Sequence, residues 1–187
     1  MVCENGQDMY AVVSLLDEHN YARLENLWRE LEVECGLTGV TLTPLPHFSW
    51  HIAADYDFKR LEAVLTGLAA ETKPFTVRTF GLGVFTSESP VIYIPVVKDA
   101  YLCTLHQRVW EDTQPAAVGS SSHYSPATWV PHITLAFGDV DRIKLGCAME
   151  KLVFQSFKWE ISIDNLALVY TLGGQIGKLQ NRFPFNG

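Results

Sequence analysis

Residues 47–85 and 132–169 spell one pattern twice. Each copy opens on a proline-preceded His-x-[Ser/Thr], Pro46-His47-Phe48-Ser49 in the first and Pro131-His132-Ile133-Thr134 in the second. Each continues into a helix announced by an aspartate, Asp57 or Asp141, and then a strand that begins on an aromatic. When Phe75–Phe85 is set against Trp159–Val169, apolar residues coincide at 75/159, 77/161, 82/166, 84/168 and 85/169. The interval from His47 to Phe75 is 28 positions and that from His132 to Trp159 is 27. Two similar halves of a short chain can pack about a pseudo-twofold axis, which brings equivalent residues together. The repeat also selects between two histidines of the first half. From His51 the interval to Phe75 is 24, and the residue two positions after it is Ala53, without a hydroxyl. His47 has both the proline and Ser49. Strand side chains alternate with period two, so His47, Ser49 and His51 share a face and His51 is kept as a candidate cleft residue.

The elements around the motifs follow from periodicity. Met9–Leu16 reads as a strand, and Asp17 caps a helix with Leu24, Leu27, Trp28, Leu31 and Cys35 on its apolar face, ended by Gly36. Residues 40–54 read as extended, interrupted by Pro44 and Pro46. Asp57 caps a helix with Leu61, Leu65 and Leu68 inward, and Phe75–Phe85 is β-like with a bend at Gly81 and Gly83. Val91–Val97 is a strand that Pro95 places at an edge, and Asp99 caps a helix carrying Leu102, Leu105, His106 and Val109. Residues 114–129 read as a long loop, a length that favours a functional role. His132–Phe137 is a strand, Asp141–Leu152 a helix, Trp159–Tyr170 one long alternating strand, and Gly173–Phe185 a hairpin-like piece. The class is α+β, organised as a single domain over residues 1–187 with two similar halves.

Composition narrows the setting. Of 187 residues 48% are apolar, enough for one shared core. No apolar run approaches the length of a membrane span. Glu4 and Asp8 stand where a secretory leader would be basic. Cys3, Cys35, Cys103 and Cys147 are scattered without a CxxC, which points to reduced thiols and a cytoplasmic setting. A net charge of −7 without a basic stripe argues against a partner that is a long nucleic-acid tract. A chain end or a small nucleotide is compatible with it, and the chain is expected to be a monomer.

The motifs suit one kind of chemistry. Opening a phosphodiester requires a proton to be taken from the attacking oxygen and another to be given to the leaving oxygen. Imidazole does both near neutral pH, so His47 and His132 on opposite sides of a phosphorus centre can be base and acid. The hydroxyls of Ser49 and Thr134 lie two residues on, on the same strand face, and can hold the non-bridging phosphate oxygens. No HExxH, Asp/His ligand cluster or Walker glycine loop is found, and no metal or cofactor is expected. The loop histidine and aromatics, His123, Tyr124 and Trp129, are candidate substrate contacts, and the aromatics serve equally well as packing anchors. His106 on its apolar helix face reads as structural, as do Trp28, Trp110 and the Phe75, Phe80, Phe85 stripe.

The paired motifs in duplicated halves resemble the 2H phosphoesterase superfamily, which includes bacterial RNA 2′,3′-cyclic phosphodiesterases, also called 2′-5′ RNA ligases. The resemblance extends from Met9 to about Tyr170. It implies a bilobal fold, two antiparallel sheets around a central cleft with helices outside. It also implies that His47 and His132 are the catalytic pair, that Ser49 and Thr134 bind phosphate, and that the chain is a hydrolase acting on a nucleotide or RNA end with a cyclic phosphate. The first motif departs from the usual pattern in having Ser49 for threonine and Trp50 for a small aliphatic residue. A nucleotide-binding module without catalysis, and 2′-5′ ligation at the same site, are the alternatives.

Overall fold

Four aspartates set the helices. In a computed structural model, which describes residues 9–42, 44–171 and 177–187, Asp17 accepts from the backbone N–H of Asn20, Asp57 from Arg60, Asp99 from Leu102, and Asp141 from Ile143 and Lys144. Each cap satisfies N–H groups that the first helical turn leaves open, worth about 1 kcal/mol apiece. They open α1 (Glu18–Cys35), α2 (Phe58–Glu71), α3 (Ala100–Thr113) and α4 (Arg142–Leu152). Gly36 ends α1 with φ of 67°, a left-handed turn that returns its N–H to the Glu32 carbonyl.

The strands are β1 (Met9–Leu15), β2 (His47–Tyr56), β3 (Phe75–Arg78), β4 (Gly83–Phe85), β5 (Val91–Pro95), β6 (Ala117–Ser120), β7 (His132–Ala136), β8 (Glu160–Ile163), β9 (Asn165–Thr171) and β10 (Lys178–Pro184). They form a five-stranded sheet in the order β10-β9-β1-β2-β6, a three-stranded sheet β4-β5-β7, and a ribbon β3-β8. All pairings are antiparallel. The repeat is visible in this topology. β1, α1, β2, α2 and β3 are matched by β5, α3, β7, α4 and β8, and the closing strand of each half crosses to the sheet of the other. β4 joins β5, and β9 joins β1. In the ribbon Val77 faces Ile161, the pair that the sequence repeat places in register, so the pseudo-twofold axis passes through it. A continuous hydrophobic core includes residues of both large sheets and of all four helices.

Four expectations are corrected. Residues 114–129 are not loop throughout: β6 adds an edge strand to β2, with Ala53 opposite Ser120 and Tyr56 opposite Ala117. The expected strand Trp159–Tyr170 breaks at Asp164 because its two parts serve different sheets, β8 in the ribbon and β9 in the five-stranded sheet. The extended segment expected from residue 40 begins only at His47, a short 3-10 turn occupying Gly39–Leu42. Cys35 at the end of α1 is disulfide-bonded to Cys147 of α4, 112 residues away, so the expectation of reduced thiols fails for this pair. Cys103 is free and exposed. The hairpin expected over 173–185 lies partly outside the described residues; its described part is β10, paired with β9.

Candidate active site

The two motifs are anchored by the same hydrogen bonds. The ring Nδ1 of His47 is bonded to the carbonyl of Leu45, and that of His132 to the carbonyl of Val130 at 2.7 Å. In each case the acceptor is two residues back, with a proline between. Proline pushes the preceding residue into extended backbone, which fixes where that carbonyl sits. The proline carbonyls are held alike, Pro46 by the N–H of Leu16 (3.1 Å) and Pro131 by the N–H of Val96 (2.9 Å). With Nδ1 donating to a carbonyl, each neutral ring has an Nε2 lone pair free.

Both strands then bulge at the same place. Val12 is opposite His51 and Val13 opposite Ser49, so Trp50 is the extra residue of β2. Ile92 is opposite Ala136 and Tyr93 opposite Thr134, so Leu135 is the extra residue of β7. A bulge sends two successive side chains to one side and resets the alternation. Trp50 with His51, and Leu135 with Ala136, therefore turn into the core, where all four are buried. His47, Ser49 and Ile52 from one strand, and His132 and Thr134 from the other with Phe137 just beyond its end, line a single cavity of about 120 Å³.

Indole groups secure the hydroxyl positions from behind. Trp129 Nε1 donates to the Ser49 carbonyl (2.9 Å), and Trp28 Nε1 donates to the Thr134 carbonyl (3.0 Å). The Tyr124 hydroxyl is hydrogen-bonded to the Ser49 side chain, and burial pushes this phenol up to about 12. Around His132, Phe85 and Tyr93 approach edge-on at 4.9 and 5.2 Å and stack on each other at 4.1 Å. Gly83 makes this possible: a Cβ there would lie 2.3 Å from the Tyr93 ring. Burial pushes the His47 imidazolium below its usual range, against the opposing pull of the Leu45 carbonyl. Burial likewise brings His132 down to about 4, with the Val130 carbonyl opposing and a charge on His47 lowering it further. The rings are thus close enough to couple electrostatically, and both favour the neutral form.

Of the candidates beyond the four motif residues, Tyr124 lines this cavity and also a wider groove of about 1040 Å³ that continues past His132. His123 lines the wider groove. His51 and Trp129, read as possible substrate contacts, are fully buried and line neither space. His51 bonds Tyr56 Oη through Nδ1 and Gln114 Oε1 through Nε2, the latter at 3.1 Å. Trp129 packs against both Trp50 and His106, its plane 3° from that of His106 at 3.7 Å. Sequence reasoning assigned Trp28 and Phe85 to the core. Trp28 packs against it and also lines the cavity, while Phe85 lines the groove. It did not single out Ile52 and Phe137, although both stand five residues after a motif histidine.

Residues 22–175 match the family model described as the 2′-5′ RNA ligase superfamily. The chain belongs to that superfamily. Solved structures share its fold. TT0787 of Thermus thermophilus superimposes with a TM-score of 0.68 at 18% identity, over 96% of this chain and 98% of that one. LigT of E. coli, complexed with 3′-AMP, gives 0.57 at 13% identity, over 97% and 99%. Usb1 of Kluyveromyces marxianus gives 0.52 at 9% identity, over 97% and 100%. No curated protein matches the chain. This superfamily member thus shares a whole-chain architecture with proteins from which its sequence has diverged widely.

Proposed function

We propose that the chain is a metal-independent phosphoesterase that opens 2′,3′-cyclic phosphates on RNA ends or small nucleotides. The observation that supports this reading is the pair of identically anchored imidazoles, each followed by a hydroxyl, on one cavity. A cyclic phosphodiester seated there would have its non-bridging oxygens toward Ser49 and Thr134. One Nε2 takes a proton from water as the water oxygen bonds to phosphorus. The other imidazole, as imidazolium, gives its proton to the ribose oxygen whose bond to phosphorus breaks. The product is a phosphomonoester beside a free ribose hydroxyl, and the two rings end with their protonation states exchanged. The anion supports the charged ring, since a negative charge nearby raises imidazole proton affinity. Supporting a nucleotide-sized occupant, LigT has been captured with 3′-AMP. With a ribose hydroxyl replacing water, the same steps run toward a 2′-5′ linkage, the reaction for which the superfamily is named.

His47→Ala and His132→Ala should each lower the rate of 2′,3′-cyclic AMP hydrolysis by about 10²-fold or more, the usual worth of positioned acid–base groups. Circular dichroism should be unchanged, and the wild-type rate should survive excess EDTA. Wild-type turnover by either alanine variant would sink the mechanism.

A further inference from the structure

The groove beyond His132 has a definite chemical character. Val84, Phe85 and Val130 give it apolar walls, Thr86 and Ser87 add hydroxyls, and Glu88 adds a carboxylate. Among the described residues no lysine or arginine lines either this groove or the two-histidine cavity. The remaining stretches of sequence, 1–8, 43 and 172–176, contain none. At the cavity the groups available to an anion are hydroxyls and imidazoles. Such donors suit the single charge of a phosphodiester. A second phosphate entering the groove would lose water against apolar walls, meet His123 but no lysine or arginine there, and approach Glu88.

We infer that the site selects cyclic phosphodiesters that carry no charge beyond the reacting phosphate, a mononucleoside 2′,3′-cyclic phosphate in preference to a phosphorylated nucleotide or an RNA end. This rests on the phosphoesterase reading above. The nucleoside lies along the wide groove with its flat base against the apolar wall. The groove, about 1040 Å³, is on the scale of a small-ligand site. The overall charge of −7 acts in the same direction at long range.

The test compares kcat/KM for 2′,3′-cyclic AMP, for the same nucleotide with a 5′-phosphate, and for a trinucleotide ending in a 2′,3′-cyclic phosphate. At about 10 mM ionic strength the two charged substrates should be slower by about tenfold, and the gap should narrow near 150 mM, where the screening length falls from about 30 to about 8 Å. Glu88→Lys should shrink the ratio between neutral-bodied and charged substrates. A 5′-phosphorylated or trinucleotide substrate cleaved as fast as cyclic AMP would overturn the selectivity and leave the phosphoesterase reading standing. A ratio unmoved by Glu88→Lys would overturn the placement of the second charge in this groove. Absence of turnover with all three by the folded protein would remove the phosphoesterase reading and this inference with it.

Discussion

A histidine is useful for proton transfer when one ring nitrogen is tied down and the other is free. His47 and His132 reach that state by the same local device, a carbonyl two residues back held in place by the intervening proline. The device is written in three consecutive residues, Leu45-Pro46-His47 and Val130-Pro131-His132, which is why it is legible in sequence. The surroundings of the two rings are not. Phe85 and Tyr93 come to His132 from β4 and β5, and nothing near residue 132 signals them. Their effect is measurable. Burial holds both imidazoles below the ordinary histidine range, His132 near 4. A pair that shares one proton titrates with apparent values belonging to the pair. The bell of kcat/KM against pH should therefore centre on the acid side of about 6.5, the free-histidine value. Its acid limb marks protonation of the ring that must be neutral. A bell centred at or above that value would show that the rings are not desolvated in the free protein.

Across an element, the same residues behave differently from what simple alternation implies. Period two placed His51 on the face of His47, and the bulge at Trp50 moves it to the other. Leu135 bulges at the equivalent point of the second half, but a single extra residue leaves no mark in the sequence pattern. His51 instead bonds Tyr56 within β2 and ties that strand to Gln114, which precedes β6 and also accepts from the Ser120 hydroxyl at 2.7 Å. His51→Ala should therefore cost about 2 kcal/mol in urea denaturation by leaving the buried Tyr56 hydroxyl without its partner. It should reduce kcat far less than His47→Ala does. Equal losses of activity at constant stability would return His51 to the reaction. The disulfide illustrates the other limit of local reading. Cys35 and Cys147 become neighbours because α1 lies against α4, a contact that cysteine spacing cannot reveal.

At the scale of the whole molecule, duplication was legible and the exchange of closing strands was not, because β4 and β9 look alike whichever sheet they join. Once made, the exchange locks the halves together, and buried histidines sit in the packing that results. His106 of α3 stacks on Trp129, which precedes β7, and bonds the Trp50 carbonyl of β2 at 3.2 Å, joining the second half to the first. Burial brings its imidazole down to about 4, with the Trp50 and Tyr124 carbonyls opposing and Lys98 and His51 adding repulsion. A histidine depressed on folding binds its proton more readily in the unfolded chain. Its neutral form therefore favours the fold above about 6.5, and that advantage is lost as pH falls from there toward 4. For His106, 2% exposed, the loss is about 3 kcal/mol over that interval, and the depressed His47, His51 and His132 act in the same sense. Unfolding free energy from urea titrations should thus drop steeply between about pH 6.5 and 4, the region in which neutral buried histidines must charge. His106→Phe keeps a ring against Trp129 and removes the titrating group, so its stability should depend less steeply on pH even if it is lower at neutrality. Parallel slopes for the variant and the wild type would mean that His106 is not the group linking the halves to acidity.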